Sequence, residues 1–205
     1  MARTLLFVKH RLPVLWTLVD WLNARLFAFR HASRMRGVVD EVCSEFLLPG
    51  FEFRSLGASD LLALSLLIER QGEDRLRYFQ PHGFDPRTLG RMLSNPAFLM
   101  FGVWEKDEIC GYFFLRCFWN RRCFVGRLID KEFERRGIGR VMNQIMYHIA
   151  WRAGFRCMTT ISRHNRAVMR SHERNPHARL LGELPNDYLL VEFTQDVREG
   201  GGIKA

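Results

Sequence analysis

No Cys-x-x-Cys pair occurs among the five cysteines, at positions 43, 110, 117, 123 and 157, and none of them clusters with histidine at metal-ligand spacing. That disfavours both a zinc site and a secreted disulfide framework, so no metal is expected and a reduced, cytoplasmic setting is. Nor is there an uninterrupted apolar run of about 20 residues, the length a spanning helix needs, because Asp20 and Arg25 break the best window. A secretory signal fits poorly, since no small-residue cleavage site follows an apolar core, whereas an Arg-rich transit peptide stays open. Repeats and low-complexity tracts are absent. Acidic residues are the scarcer sign, 22 against 31 basic for a net charge of +9. Such a balance favours an anionic partner: coenzyme phosphates, a membrane surface or nucleic acid.

What is present suffices for one domain, since 205 residues at 47% hydrophobic content can close a single core. The charge is concentrated at the start. Residues 1–37 hold Arg3, Lys9, Arg11, Arg25, Arg30, Arg34 and Arg36 against Asp20 alone, which is +6 of the total +9. Between them Leu15, Leu18, Leu22, Leu26 and Phe29 recur at helical spacing, broadened by Trp16 and Trp21. This is a basic amphipathic helix with three readings: it lies peripherally on a membrane surface, it meets a partner or a second copy, or it packs on its own domain. Nucleic acid ranks low, because these basic residues stand in an apolar helical context and not on a polar arm with stacking aromatics. Val38 to Leu48 is predicted as a second helix closed by Pro49-Gly50. The chain then divides into a helical extension at 1–48, a main domain at 49–197 and a flexible, glycine-rich tail at 198–205.

In the main domain, Phe51 to Arg54 reads as a strand, and Asp60 to Arg70 as a helix with Ser59 as its N-cap. Residues 71–84 read as a polar loop interleaved with Tyr78, Phe79, His82 and Phe84. Asp85-Pro86 opens a short helix. Phe98 to Trp104 and Ile109 to Trp119 form a hairpin around Glu105-Lys106-Asp107-Glu108, and Cys123 to Ile129 is a further buried strand. After it, Val141, Ile145, His148, Ile149 and Arg152 mark a helix of about four turns. A strand at 155–162, a helix starting near Asn165, and strands Arg179 to Leu184 and Asp187 to Phe193 complete the order.

The segment Arg135-Arg136-Gly137-Ile138-Gly139-Arg140 stands between that buried strand and that helix. A Gly-x-Gly turn feeding a helix leaves several N–H groups without intrahelical partners at the positive end of the dipole, a site suited to phosphate. A purely structural turn is the competing reading. Met142 stands where a dinucleotide fingerprint needs its third glycine, and no Gly-Lys-Ser/Thr follows as in a P-loop. With the strand before and the helix after, Gly137, Gly139 and Arg140 resemble the signature of the GNAT superfamily of N-acetyltransferases, and Asn165-Arg166-Ala167-Val168-Met169-Arg170 resembles the start of that family's next helix. The likeness covers roughly residues 51 to 195. It implies an α/β (α+β) fold, a mixed and mostly antiparallel central sheet flanked by helices, here with an N-terminal helical extension.

By the same resemblance the cofactor is acetyl-CoA and the reaction is acetyl transfer to the primary amine of a small molecule. Arg127, Leu128 and Ile129 would pair with the pantetheine arm, and Arg135, Arg136, Gly137, Ile138, Gly139 and Arg140 would hold the phosphates. Asn165 would complete the cofactor site. Gly126 suits a bulge, a close backbone approach or plain packing. Tyr78, Phe79 and His82 would line the acceptor pocket, and their run resembles members that acetylate amino sugars, or they anchor the loop on the core. The family's tyrosine acid falls at His172, a residue able to donate a proton near neutral pH. Two departures are visible: no carboxylate stands where the family places its general base, and Glu134 replaces the Gln/Arg that opens the signature. They leave a second reading, a non-catalytic module that senses acyl-CoA.

Overall fold

The computed structural model describes residues 13–196, with Pro13 to Trp16 described by backbone alone. Arg3, Lys9, Arg11, the side chains of Leu15 and Trp16, and the tail at 198–205 lie outside the described residues. A long helix, α1 (Pro13–Glu45), leads into β1 (Glu52–Ser55), then α2 (Leu61–Glu69), a single turn α3 (Glu73–Leu76) and α4 (Pro86–Leu93). Strands β2 (Phe98–Glu105), β3 (Glu108–Cys117) and β4 (Arg122–Ile129) follow, then α5 (Ile138–Arg152), β5 (Arg156–Ser162), α6 (Arg166–Glu173), β6 (Ala178–Leu184) and β7 (Tyr188–Phe193). The strands form one sheet in the order β1-β2-β3-β4-β5-β7-β6. Its neighbours are antiparallel except β4 and β5, which are parallel because α5 carries the chain back across one face.

Both faces of the sheet are covered, so β3 is apolar almost throughout instead of alternating. Phe113, Leu115 and Cys117 face α1 and α5, together with Val141, Ile145 and Ile149. Tyr112 and Phe114 face the opposite layer, where Leu64, Leu67, Ile68 and Leu89 of α2 and α4 pack. The hairpin, the strand before the motif and the motif helix form as their patterns predict.

Three local expectations are corrected. Residues 38–48 are not a second helix, because α1 runs through Gly37 without a break. One interior glycine costs a helix about 1 kcal/mol, and the burial of Met35, Val39 and Val42 outweighs it. Ser59 is not a cap: Asp60 closes the preceding 3-10 turn by accepting from the Gly57 N–H at 2.9 Å while paired with Arg54 at 2.9 Å. The 71–84 loop contains α3, with acidic Glu73 and Asp74 in its first turn.

The N-terminal helix is built into the core. Phe27 and Val42 are fully buried among side chains of α5 and β5. Asn23 holds the β3–β4 turn at both ends, donating to the Cys117 carbonyl at 3.0 Å and accepting from the Trp119 N–H at 3.1 Å. Asp20 reaches Arg116 of β3 at 2.9 Å, and Glu41 and Glu45 both meet Arg152 of α5 at 2.7 Å. All five cysteines are free thiols, four of them buried, and burial pushes Cys110 up to about 11. Among the described residues no helix is long and apolar enough to cross a membrane.

Candidate functional site

The parallel pair opens. β4 and β5 pair at Arg122–Phe124 against Arg156–Met158 and then part, β4 continuing beside β3 and β5 beside β7. Hydrogen bonds fix which backbone groups face the gap. The Arg122 carbonyl accepts from Phe118 and the Asp130 N–H donates to Cys110, so even-numbered positions of β4 point to β3. The Arg121 carbonyl accepts from Arg156 of β5, so odd-numbered positions point the other way. Arg127 and Ile129 therefore present their N–H and C=O groups to the opening, an unpaired strand edge inside a sheet. Arg75, from the loop side, donates to the Ile129 carbonyl at 2.7 Å and pairs with Glu134 at 2.7 Å. That contact resolves the signature's odd acid: Glu134 is turned toward Arg75 and away from the turn.

At the mouth of the opening stands the N-terminus of α5. Gly137 is its N-cap with φ +87°, a left-handed conformation that costs other residues dearly, and it supplies no side-chain cap. The first N–H groups of α5, those of Ile138 and Gly139, have no intrahelical acceptor. The three motif arginines do not act alike. Arg136 leaves the turn to bind Glu105 at 2.7 Å and stacks over Phe51 and Phe133, whereas Arg135 and Arg140 are exposed and have no carboxylate partner among the described residues.

Gly139 also makes room on the protein side. A Cβ there would come within 2.9 Å of Arg127 Nη1 and 3.2 Å of Ile129 Cδ1, so the missing side chain makes room for a guanidinium from β4. Arg127 donates from Nε to Asn143 of α5 at 2.8 Å and forms no ion pair among the described residues. Burial pulls its pKa below the usual arginine value. A cation left without a counter-charge under a helix N-terminus is an arrangement suited to an anion.

His172 of α6 borders the same charge. Its ring is buried beside Phe193, and Nδ1 has no hydrogen-bond partner. Burial first, and then Arg127, push its pKa down to about 4. Such a shift disfavours the protonated ring near neutral pH, which bears against the proton-donor role expected of it. Asn165 caps α6 by accepting from Val168 at 3.2 Å, so its side-chain oxygen is already used. Among the described residues no buried carboxylate is left free to compensate: Asp60, Asp130 and Glu192 each pair with an arginine, Arg54, Arg70 and Arg156 respectively.

On the opposite face, Gly126 is neither a bulge nor a ligand approach. A Cβ would strike the Phe114 ring at 2.7 Å and meet Phe79 at 3.3 Å, while the β3–β4 register stays unbroken. Phe79 packs edge-on against Tyr112, and His82 lies among Phe84, Phe98 and Phe114 with Nδ1 at 2.8 Å from the Gly83 carbonyl. Burial lowers the His82 pKa. These two side chains anchor the loop, while Tyr78 carries Arg77 over its ring. His82 also lines a cleft of about 520 Å³ with Gln80, Phe84, Thr88, Asn95 and Arg116, bounded by Asp20 and Asn23 of α1. Sequence reasoning missed Arg75 and Asn143. An asparagine inside an apolar helix face was a readable signal for the second, but nothing local marks Arg75.

No family model matches the chain, and no curated protein matches it by sequence. Solved structures do match. The PaiA N-acetyltransferase of Thermoplasma acidophilum, in complex with coenzyme A, superposes with a TM-score of 0.60 at 14% identity, over 70% of this chain and 98% of that one. The ribosomal-protein-S5-alanine acetyltransferase of Vibrio fischeri gives 0.60 at 17% identity, covering 75% and 98%. The GNAT domain of S. lividans PAT gives 0.61 at 12% identity, covering 69% and 88%. With its parted parallel strands and a glycine turn at their mouth, the chain has the GNAT acetyltransferase fold.

Proposed function

We propose that the protein is an acetyl-CoA-dependent N-acetyltransferase acting on the primary amine of a small molecule. One observation carries this reading: β4 and β5 part, and the opening presents the N–H and C=O of Arg127 and the N–H of Ile129 beside the N-terminus of α5, while the Ile129 carbonyl is already held by Arg75. When bound, acetyl-CoA supplies an acetyl group activated as a thioester. The N–H and C=O of Arg127 and the N–H of Ile129 would hold the arm, and Gly137, Ile138, Gly139, Arg135 and Arg140 would receive the phosphates. Arg127 adds a second, internal charge behind the turn.

The acceptor side rests on size and placement. Phe79 lies against Gly126 of β4, and the loop continues to the cleft of about 520 Å³ beside His82, within the usual range for small-molecule sites. Several structural neighbours are named for acting on ribosomal proteins, so the small-molecule reading rests on the cleft alone. Because the buried carboxylates are all paired, the amine must arrive neutral or lose its proton to water. His172 then acts as a hydrogen-bonding, positioning group.

A binding-only acyl-CoA module is the second reading, favoured by the neutral His172 and by the absence of a free buried carboxylate. Thiol release from acetyl-CoA across a panel of primary amines separates the two. Amine-dependent release that Gly137→Asp abolishes, and that falls as pH drops below the amine's pKa, supports the enzyme. Saturable coenzyme binding with no release above background for any amine supports the module.

A further inference from the structure

We infer that the outward face of the N-terminal helix docks on an anionic lipid surface, holding the domain flat against a membrane without crossing it. The inward side of α1 is fully committed, through Asp20, Asn23, Phe27, His31 and Met35. The opposite side is apolar and uncovered. Phe29 is 91% exposed, Trp21 53%, and Leu18, Leu22 and Leu26 between 43 and 49%. At 100° per residue Leu18, Leu22 and Phe29 fall on one line, with Trp21 and Leu26 flanking it. A soluble helix in contact with water alone would carry polar residues there.

The charge around this stripe says what covers it. Arg25 and Arg36 are exposed on the same line, Arg30 is exposed to one side of it, and Arg25 lies over the Trp21 ring at 5.4 Å. Long cationic side chains with tryptophan at their base match the headgroup boundary, where the stems and ring stay in apolar surroundings and the charges reach phosphate. The turn that Asn23 fixes to the helix adds Trp119, half exposed, and the exposed Arg121 and Arg122. Asp20 is turned inward onto Arg116, Glu41 and Glu45 meet Arg152, and the exposed Asp40 comes one turn after Arg36, beyond the apolar part of the stripe. The sequence before the described part, with Arg3, Lys9 and Arg11 and no acid, has the same sign. A second copy packed by twofold symmetry would set these arginines against each other, which disfavours self-association.

Flotation of the full-length protein with phosphatidylcholine vesicles, with and without a large fraction of phosphatidylglycerol, tests this. Binding is expected with the anionic vesicles alone and weakened by salt. Each of Arg25→Ala, Arg30→Ala and Arg36→Ala should lower partitioning by about fivefold. Phe29→Glu with Leu22→Glu should abolish it while leaving the thermal transition in place, since neither side chain is buried. Failure to partition, or equal partitioning into neutral vesicles, overturns the inference. So does a concentration-dependent dimer in sedimentation velocity that the Glu variant dissociates, because the face would then belong to a second copy. None of these readouts depends on acetyl transfer.

Discussion

Arg127 sets the electrostatics of the opening, because it is a partly buried cation with an amide for company and no acid among the described residues. Isolated buried charges weaken a fold, and an apolar side chain of similar volume is tolerated or preferred in their place. Arg127→Met should therefore leave the thermal transition unchanged or raise it, while coenzyme A affinity falls by at least about tenfold, the worth of one charge-assisted hydrogen bond. Titration calorimetry and a melting curve on the same sample check both halves; lost stability with unchanged affinity would make Arg127 a structural residue. His172 gives a pH prediction. Its ordinary value is 6.5 and the folded one about 4, so the unfolded chain takes up the proton first as pH falls. The contribution is complete above about 6.5 and is lost between there and 4, by up to roughly 3 kcal/mol. Urea unfolding of the wild type and His172→Gln should show a stability difference that shrinks from pH 7 to pH 5; a constant difference would contradict the burial argument.

At the scale of elements, the turn before α5 depends on two glycines for two different reasons. Gly137 holds a left-handed backbone, and Gly137→Ala should cost about 1–2 kcal/mol of stability. Gly139→Ala presses on the far end of the Arg127 side chain, so it should weaken coenzyme binding with a smaller loss of stability. Denaturation and binding curves of the two variants distinguish these outcomes. Most elements were legible in the sequence because their signals are local: short apolar runs bounded by turns, the Asp85-Pro86 start, the Gly-x-Gly turn, and Asn165 before α6. The unbroken α1 was not, since a glycine in a helix reads as a stop until the buried neighbours that hold it are known. The partners of Glu134 and Arg136 were hidden for a similar reason. Arg75 and Glu105 are distant in sequence, and no spacing rule brings them to the turn.

For the whole molecule, the N-terminal helix and the sheet behave as one core. Phe27 touches His31 and Phe155, and truncating a buried phenylalanine of this kind costs about 3–5 kcal/mol. Phe27→Ala should lower a single cooperative transition, and a separate early transition for the helix alone would show that it folds apart from the domain. The sequence marked the basic, apolar character of this segment but not which side turns inward, because that is decided by contacts with β3, β5 and α5. The central claim is that the parted strands take acyl-CoA as an added strand. Residue-resolved amide exchange of the full chain with and without coenzyme A tests it most directly. The account predicts that the N–H groups of Arg127 and Ile129, which face the opening, become protected, while those of Gly126 and Leu128, already bonded to β3, change little. Protection that ignores this alternation, or no change at millimolar coenzyme A, would contradict it.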